Sequence, residues 1–505
     1  MTFTPSTGNR IEAIYVDSSD ENLMSVAEGD SQTYVFQNIQ NSHLIEAVYS
    51  KMYVRLDING GTGKQPLVVY NDDKSQFKIN DNIEPTKSGK EFYYYSTNKD
   101  DNERGQNGTR YDLGLWYDLP STTASTTLYA IYLTPTSYTT TSQYVVVPKT
   151  VNAIAGSSSK NMFGSTSDST LKYITLHRNT TTIGSYALYG CKTLTGISHS
   201  DGVVALGGYA MAGCVELVKY RFAPYTQSVG NNAFASDTKL GSVTNFENTK
   251  VSQVAQSVFS QCSSLISISL PNTITAIGDR AFEGCSKLTS MDLSKTKTTT
   301  IGTSAFASCG NLGTIILPTT LTIIGTSAFK DDTNLRSVQK LEKTIVSIIN
   351  KNAFLECKNL SSVKLPQTLS TLGESAFEGC SNLTAVSGFE NTAVKILEAR
   401  TFANCSSLST LSLARGLTEI RTEALIGCSI LRNLDTLSTT KVTKIGVRAL
   451  KDTAGLTSIS LPTSTFVSFA QSAFENSGVQ KINNLKNCSK FKSFGASVSY
   501  THLRA

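Results

Sequence analysis

Residues Leu265–Leu288 read LISISLPNTITAIGDRAFEGCSKL. Leu265, Ile268 and Leu270 alternate with Ser267 and Ser269 at close to the two-residue period of a strand, so the spacing predicts a short strand with one apolar side. Pro271 has no N–H to offer a ladder and closes it. Ile274 and Ile277 turn inward again, Gly278 permits a tight bend, and Ala281, Phe282, Cys285 and Leu288 fall at the spacing of about one helical turn. A strand, a bend and one helical turn cannot bury their own apolar side, so copies must stack.

Copies are present. Nine of the ten cysteines stand at Cys191, Cys214, Cys262, Cys285, Cys309, Cys357, Cys380, Cys405 and Cys428, with gaps of 23, 48, 23, 24, 48, 23, 25 and 23. Each gap of 48 skips one copy, at Asp237 and Asp332, where Ala233-Phe234 and Ala328-Phe329 precede and Leu240 and Leu335 follow. The frame runs on to Thr453 and Ser477 and back to a degenerate copy at Asp168, giving about fourteen repeats of 23 to 25 residues between roughly Gln143 and Leu485. Stacked strands then form a parallel sheet, an array on the order of 65 Å long at about 4.8 Å per strand. Phe282, Phe306, Phe329, Phe354, Phe377 and Phe402 are predicted to form a buried aromatic spine. A longer period of 48 joins repeats in pairs, with FENTKVSQVAQSVF from Phe246 alternating with the Leu-Pro type and FENTAVKILEARTF from Phe389 doing likewise.

No two cysteines form a C-x-x-C pair, which excludes a zinc ribbon by spacing. The run Cys262, Cys285, Cys309 is odd in number, and Asp, Thr or Ser fill the other copies, so buried free thiols are expected rather than a disulfide column. Cys488 stands outside the column and is expected to face solvent.

Catalytic patterns fail one by one. The four histidines, His43, His177, His199 and His502, pair with no Cys or carboxylate at a triad's spacing. Gly63-Lys64 lacks the Gly five positions before and has Gln65 where a phosphate loop needs Ser or Thr. Asp100, Asp101 and Glu103 lack the alternate-ligand spacing of a calcium loop. Neither a cofactor nor a metal is therefore expected, and the chain reads as no enzyme. Charged residues are 17% of 505 and the net charge is +6, with Lys and Arg scattered, which argues against nucleic acid. No run of about 18 apolar residues occurs, so no transmembrane helix is expected. Abundant Ser and Thr with only 11 Pro point to regular, polar-surfaced β structure of extracellular type.

The texture changes upstream of the array. YVRLDINGGTGKQP, TKSGKEFYYYSTN, YDLGLWYDL and TTLYAIYL, between Lys51 and Leu133, alternate aromatic and β-branched residues between Gly-rich turns and predict a small antiparallel β domain. Thr134 to Ser142 is a Thr-rich joint. Four segments follow: a partial β module at 1–50, a β domain at 51–135, the solenoid at 136–487 and a tail at 488–505 whose end, SYTHLRA, reads as non-native. No secretion signal is visible at the start, which is expected of a fragment.

The I-G-x-x-A-F-x-x-C-x-x-L frame resembles the BspA-like leucine-rich repeats of bacterial and protist surface proteins, although the Asn ladder of the common leucine-rich repeat is missing from it. Asn59-Gly60-Gly61, Trp116-Tyr117 and Leu128-Tyr129-Ala130 resemble the internalin-type B-repeat, a β-grasp-like module, and Gly29 to Ser50 resembles the closing hairpin of another extracellular β repeat. These resemblances imply a leucine-rich-repeat solenoid with a parallel sheet and short helical turns behind small β modules. They imply a secreted or surface protein that binds host, matrix or neighbouring-cell proteins, adhesin-like and monomeric. A structural spacer and an envelope carbohydrate binder are the alternatives, the latter lacking exposed aromatics on the predicted strand face. That face is mostly small and polar, so binding is expected to be spread over many repeats. Its candidate protein contacts are Tyr173, Lys219, Arg221, Asp292, Gln339, Lys364, Asn433 and Asp435, while Tyr220 and Phe222 are predicted to point inward.

Overall fold

The computed structural model describes residues 2–3, 9–16, 32–33, 45–51, 54–57, 59–62, 68–70, 76–79, 84–101, 110–111, 116–118, 126–133, 142–157, 160–163 and 170–496. Over the described residues between 142 and 496 the chain is a β-solenoid of about fourteen turns, matching the predicted repeat count. Its turns carry strands in two series. In the first, Ser290–Asp292 pairs in parallel with Thr314–Ile316, and that strand with Ser337–Gln339, so Met291, Ile315 and Val338 face the core side by side. In the second, six strands from Gln253–Val254 to Thr371–Leu372 form one unbroken sheet. At Leu265–Leu270 the predicted alternation holds, with Leu265 and Ile268 buried and Ser267 and Ser269 exposed, but no ladder forms over those six residues. The second strand of that turn is Ala276–Ile277, where the sequence suggested only an inward bend.

The predicted helical turn is absent. Arg280 and Gly284 adopt φ of 55° and 73°, so the segment is two successive tight turns. Glu283 and Cys285 donate locally to the carbonyls of Arg280 and Phe282. Arg280, Phe282 and Gly284 instead donate to Thr303, Ala305 and Ala307 of the next turn, at 2.8, 2.8 and 2.9 Å. A helix keeps its amides within itself. This segment spends every second amide on its neighbour, which is what welds one turn to the next.

The aromatic spine is present and runs further toward the N-terminus than expected. Rings from Phe234 through Phe259, Phe282, Phe306, Phe329, Phe354 and Phe377 to Phe402 stack with centroids 5.1 to 5.6 Å apart. Beside them the cysteines are buried and free, and each thiol has a partner that accounts for its identity. Cys285 Sγ donates to the carbonyl of Phe259 in the preceding turn at 3.1 Å, and Cys309, Cys380 and Cys405 treat Phe282, Phe354 and Phe377 alike. Cys488, expected at the surface, is buried, with its thiol 3.3 Å from the Asn484 carbonyl. Threonines do a similar task on the outside: Thr275, Thr299 and Thr322 each donate a hydroxyl to the carbonyl at the matching place one turn back. The Ser and Thr content thus has a structural cause. At the surface the side chains of Asn311, Asn334, Asn359 and Asn382 are linked in series at 3.0 to 3.3 Å. The signal was the C-x-N-L or D-x-N-L string of those four repeats.

Upstream, Thr126–Leu133 pairs antiparallel with Glu91–Ser96 but parallel with Val54–Asp57, so the sheet is mixed rather than wholly antiparallel. Gln76–Ile79 lies between Val68–Tyr70 and Trp116–Asp118 in a second, antiparallel sheet. This β unit closes on the first turns of the solenoid. Tyr93, Tyr94, Ile131 and Leu133 share an apolar cluster with Val146, and Tyr93 donates its hydroxyl to the Val147 carbonyl at 2.9 Å. Arg110 lies over the Tyr94 ring at 4.6 Å and donates to the Leu176 carbonyl at 3.0 Å. Most of the predicted hairpin at Gly29 to Ser50 lies outside the described residues.

Candidate functional site

In the first strand series the first and third residues of a strand point outward and the second inward. Ser290, Asp292, Gln339, Ser362 and Lys364 are exposed, and Thr314 and Ile316 are half-buried. Register aligns Asp292, Ile316 and Gln339 in one row and Ser290, Thr314 and Ser337 in another. Such rows form a shallow patterned strip, with charges and amides at separate points. It can present hydrogen-bonding groups to a broad partner.

The predicted contacts divide. Lys219, Asp292, Gln339 and Lys364 stand exposed on this strip. Asn433 is half-buried and bridges Thr410. The side chain of Asp435 lies outside the described residues. Tyr173 is buried, with only 7% of its surface exposed, so it is not presented to a partner. Arg221 is exposed on the strip too, and there its guanidinium forms a two-pronged ion pair with the buried carboxylate of Asp201. Tyr220 and Phe222 point inward as predicted.

His177 and His199 sit between the β unit and the first turns. His177 Nε2 faces the Phe92 carbonyl at 3.2 Å, and burial lowers its pKa to about 4. His199 has a carbonyl 2.9 Å from each ring nitrogen, Ser200 on one side and Arg221 on the other, and burial again lowers its pKa to about 4. Both are packing residues at a junction. Further along, Arg400 bridges Glu378 and Glu423, and Arg448 reaches Glu423 and Glu475, an alternating charge chain across successive turns.

Sequence reasoning missed three tyrosines, Tyr186, Tyr189 and Tyr209, which meet on the edge formed by the turns after the second strand series. The available signal was the spacing of 23 between Tyr186 and Tyr209, which places them at one position in consecutive repeats.

The family of BspA type leucine rich repeat regions matches in six copies, over residues 157–256, 252–384, 340–444 and 389–497, which is more than half of the chain. No curated protein matches in sequence. Among solved structures, a leucine-rich repeat protein from Bacteroides ovatus is similar at 19% identity and a TM-score of 0.50, covering 86% of this chain and 99% of that one. A leucine rich cell surface protein from Faecalibacterium prausnitzii is 21% identical over 64% of this chain and 84% of that one, with a TM-score of 0.38. A leucine-rich repeat protein from Eubacterium ventriosum is 18% identical over 61% and 84%, with a TM-score of 0.35.

Proposed function

Because the chain belongs to the BspA type leucine-rich repeat family, we propose that it is a non-enzymatic, secreted or surface-displayed protein that binds other proteins along the exposed strip of its first strand series. The observation that carries this reading is the strip itself, where small polar side chains repeat in register from turn to turn. Lys219, Asp292, Gln339, Lys364 and Asn433 supply its distinctive contacts. From Ser290 to Lys364 the outward residues of the strip are mostly small, polar or singly charged rather than the Trp, Tyr and Arg anchors that dominate compact hot spots, so affinity comes from many weak contacts acting together. Residues 51–135 act as a separate B-repeat-like module ahead of the solenoid at 136–487, and the protein works as a monomer.

Immobilised host matrix proteins, read by surface binding, test this. A specific partner is expected, and deleting turns in pairs of about 48 residues weakens binding stepwise while Gln339→Ala or Lys364→Ala alone changes it little. Loss of all affinity from one such substitution, with the fold intact, would instead require a discrete pocket. Binding to none of a broad panel would leave a spacer.

A further inference from the structure

Tyr186 and Tyr209 hold the same position in successive turns, with φ of 57° and 56°. Their rings lie parallel, with centroids 5.0 Å apart, and Tyr189 stands edge-on to both at 5.5 and 6.2 Å. All three are half-buried. Left-handed backbone is unfavourable for a bulky aromatic residue. The next turns fill this position with Asn232, Ser257, Arg280 and Ser304. Packing of the repeat therefore does not call for the aromatic rings.

Beside them the second strand series opens. Ala205–Leu206 pairs with Ser228–Val229, and Gln253–Val254 pairs with Ala276–Ile277, but Ser228–Val229 and Gln253–Val254 do not pair with each other. Bonds survive on both margins of the opening, from Lys250 N–H to the Thr226 carbonyl at 2.8 Å and from Asn232 N–H to the Gln256 carbonyl at 2.9 Å. Between them lies a groove of about 550 Å³ over a floor of Val229, Val254 and Ala255. Gln227, Asn231, Gln253 and Gln256 line it with Ser252 and Asp279, and no Lys or Arg does. Groove and tyrosines adjoin, since Tyr209 N–H donates to the Asn231 carbonyl at 3.0 Å.

We propose that this edge binds a neutral oligosaccharide, with sugar rings against Tyr186 and Tyr209 and sugar hydroxyls bonded by the groove amides. Aromatic faces receive the apolar C–H face of a sugar. A carboxamide offers a donor and an acceptor side by side, which suits neighbouring hydroxyls, and a carboxylate accepts from them. The lack of cationic lining disfavours polyanions. A peptide adding itself as a strand is disfavoured too, because each free edge is only two residues long. The site is distinct from the strand-face strip and does not depend on it.

Isothermal titration of the full chain with cellohexaose, mannohexaose, xylohexaose and maltohexaose, and with a heparin hexasaccharide as the acidic comparator, tests the assignment. At least one neutral sugar is expected to bind. The pair Tyr186→Asn and Tyr209→Asn should weaken it about tenfold or more, and Gln256→Ala should weaken it less. The melting temperature should hold, because Asn already fills the position at Asn232 and Asn352. Failure of every neutral sugar to saturate in the millimolar range, full affinity in the paired variant, or binding of heparin alone overturns the proposal. Protein partners held on the strand face should be indifferent to the tyrosine pair, so each reading can fail without the other.

Discussion

Asp237 and Asp332 stand in the column that cysteines otherwise fill, and both are wholly buried. Asp332 Oδ1 accepts the Cys309 N–H at 2.8 Å, and Asp237 Oδ1 accepts that of Cys214 at 2.8 Å. In each, Oδ2 has no hydrogen-bond partner. Burial pushes both carboxyls well above their usual range. A pKa raised on folding adds stability that is fully present below the unfolded value near 3.9 and is lost as pH rises toward the folded value. Asp332→Cys should therefore stabilise the protein by about 1–3 kcal/mol at pH 8 and by less at pH 4, read from urea midpoints at the two pH values. A variant less stable than the parent at pH 8 contradicts this account. The column was legible in the sequence because its spacing is strict. Its chemistry was not, because the thiol's partner is a backbone carbonyl one turn away.

At the scale of the element, each turn is held by the spine and by amides shared with its neighbour. Phe329 stacks between Phe306 at 5.4 Å and Phe354 at 5.1 Å. Phe329→Ala should cost about 3–5 kcal/mol, and the loss should stay local because turns touch only their neighbours. Hydrogen exchange should quicken in the turns around Phe306 and Phe354 and remain slow near Phe234. Uniform acceleration along the whole array contradicts a nearest-neighbour solenoid. The spine could be read from Phe282 and its copies, and the inward and outward sides of the first segment from Leu265 and Ile268, although no strand ladder forms at those two residues. The second strand could not, because two residues such as Ala276–Ile277 are too short to show a period. The helical reading failed because paired tight turns give the same three- and four-residue spacing as a helix. The charged and polar positions of the strip were placed correctly for Lys219, Asp292, Gln339 and Lys364. Arg221 is outward as read, although its guanidinium is paired with Asp201, whereas Tyr173 is buried at the contact with the β unit.

For the molecule as a whole, the contact between the β unit and the first turns contains the titrating groups His177 and His199, with Arg110, Arg178, Glu84 and Asp201 around them. Folding lowers both histidine pKa values to about 4. The stability they contribute is present above the unfolded value near 6.5 and falls as pH drops from there toward 4. Limited proteolysis should cut residues 84–101 faster at pH 5 than at pH 7.5, through a loss of about 1–2 kcal/mol, and His177→Asn should flatten the difference. Equal rates at both pH values would show that the histidines carry no such linkage. The unpaired stretch between Ser228–Val229 and Gln253–Val254 has a mechanical side as well. A rod pulled from its ends yields where fewer cross-links span a cross-section, so this seam and the like gap between Thr371–Leu372 and Ile396–Leu397 divide the array into three springs in series. Tension would part the turns at such gaps before elsewhere, and at the first of them would splay the edge that carries Tyr209.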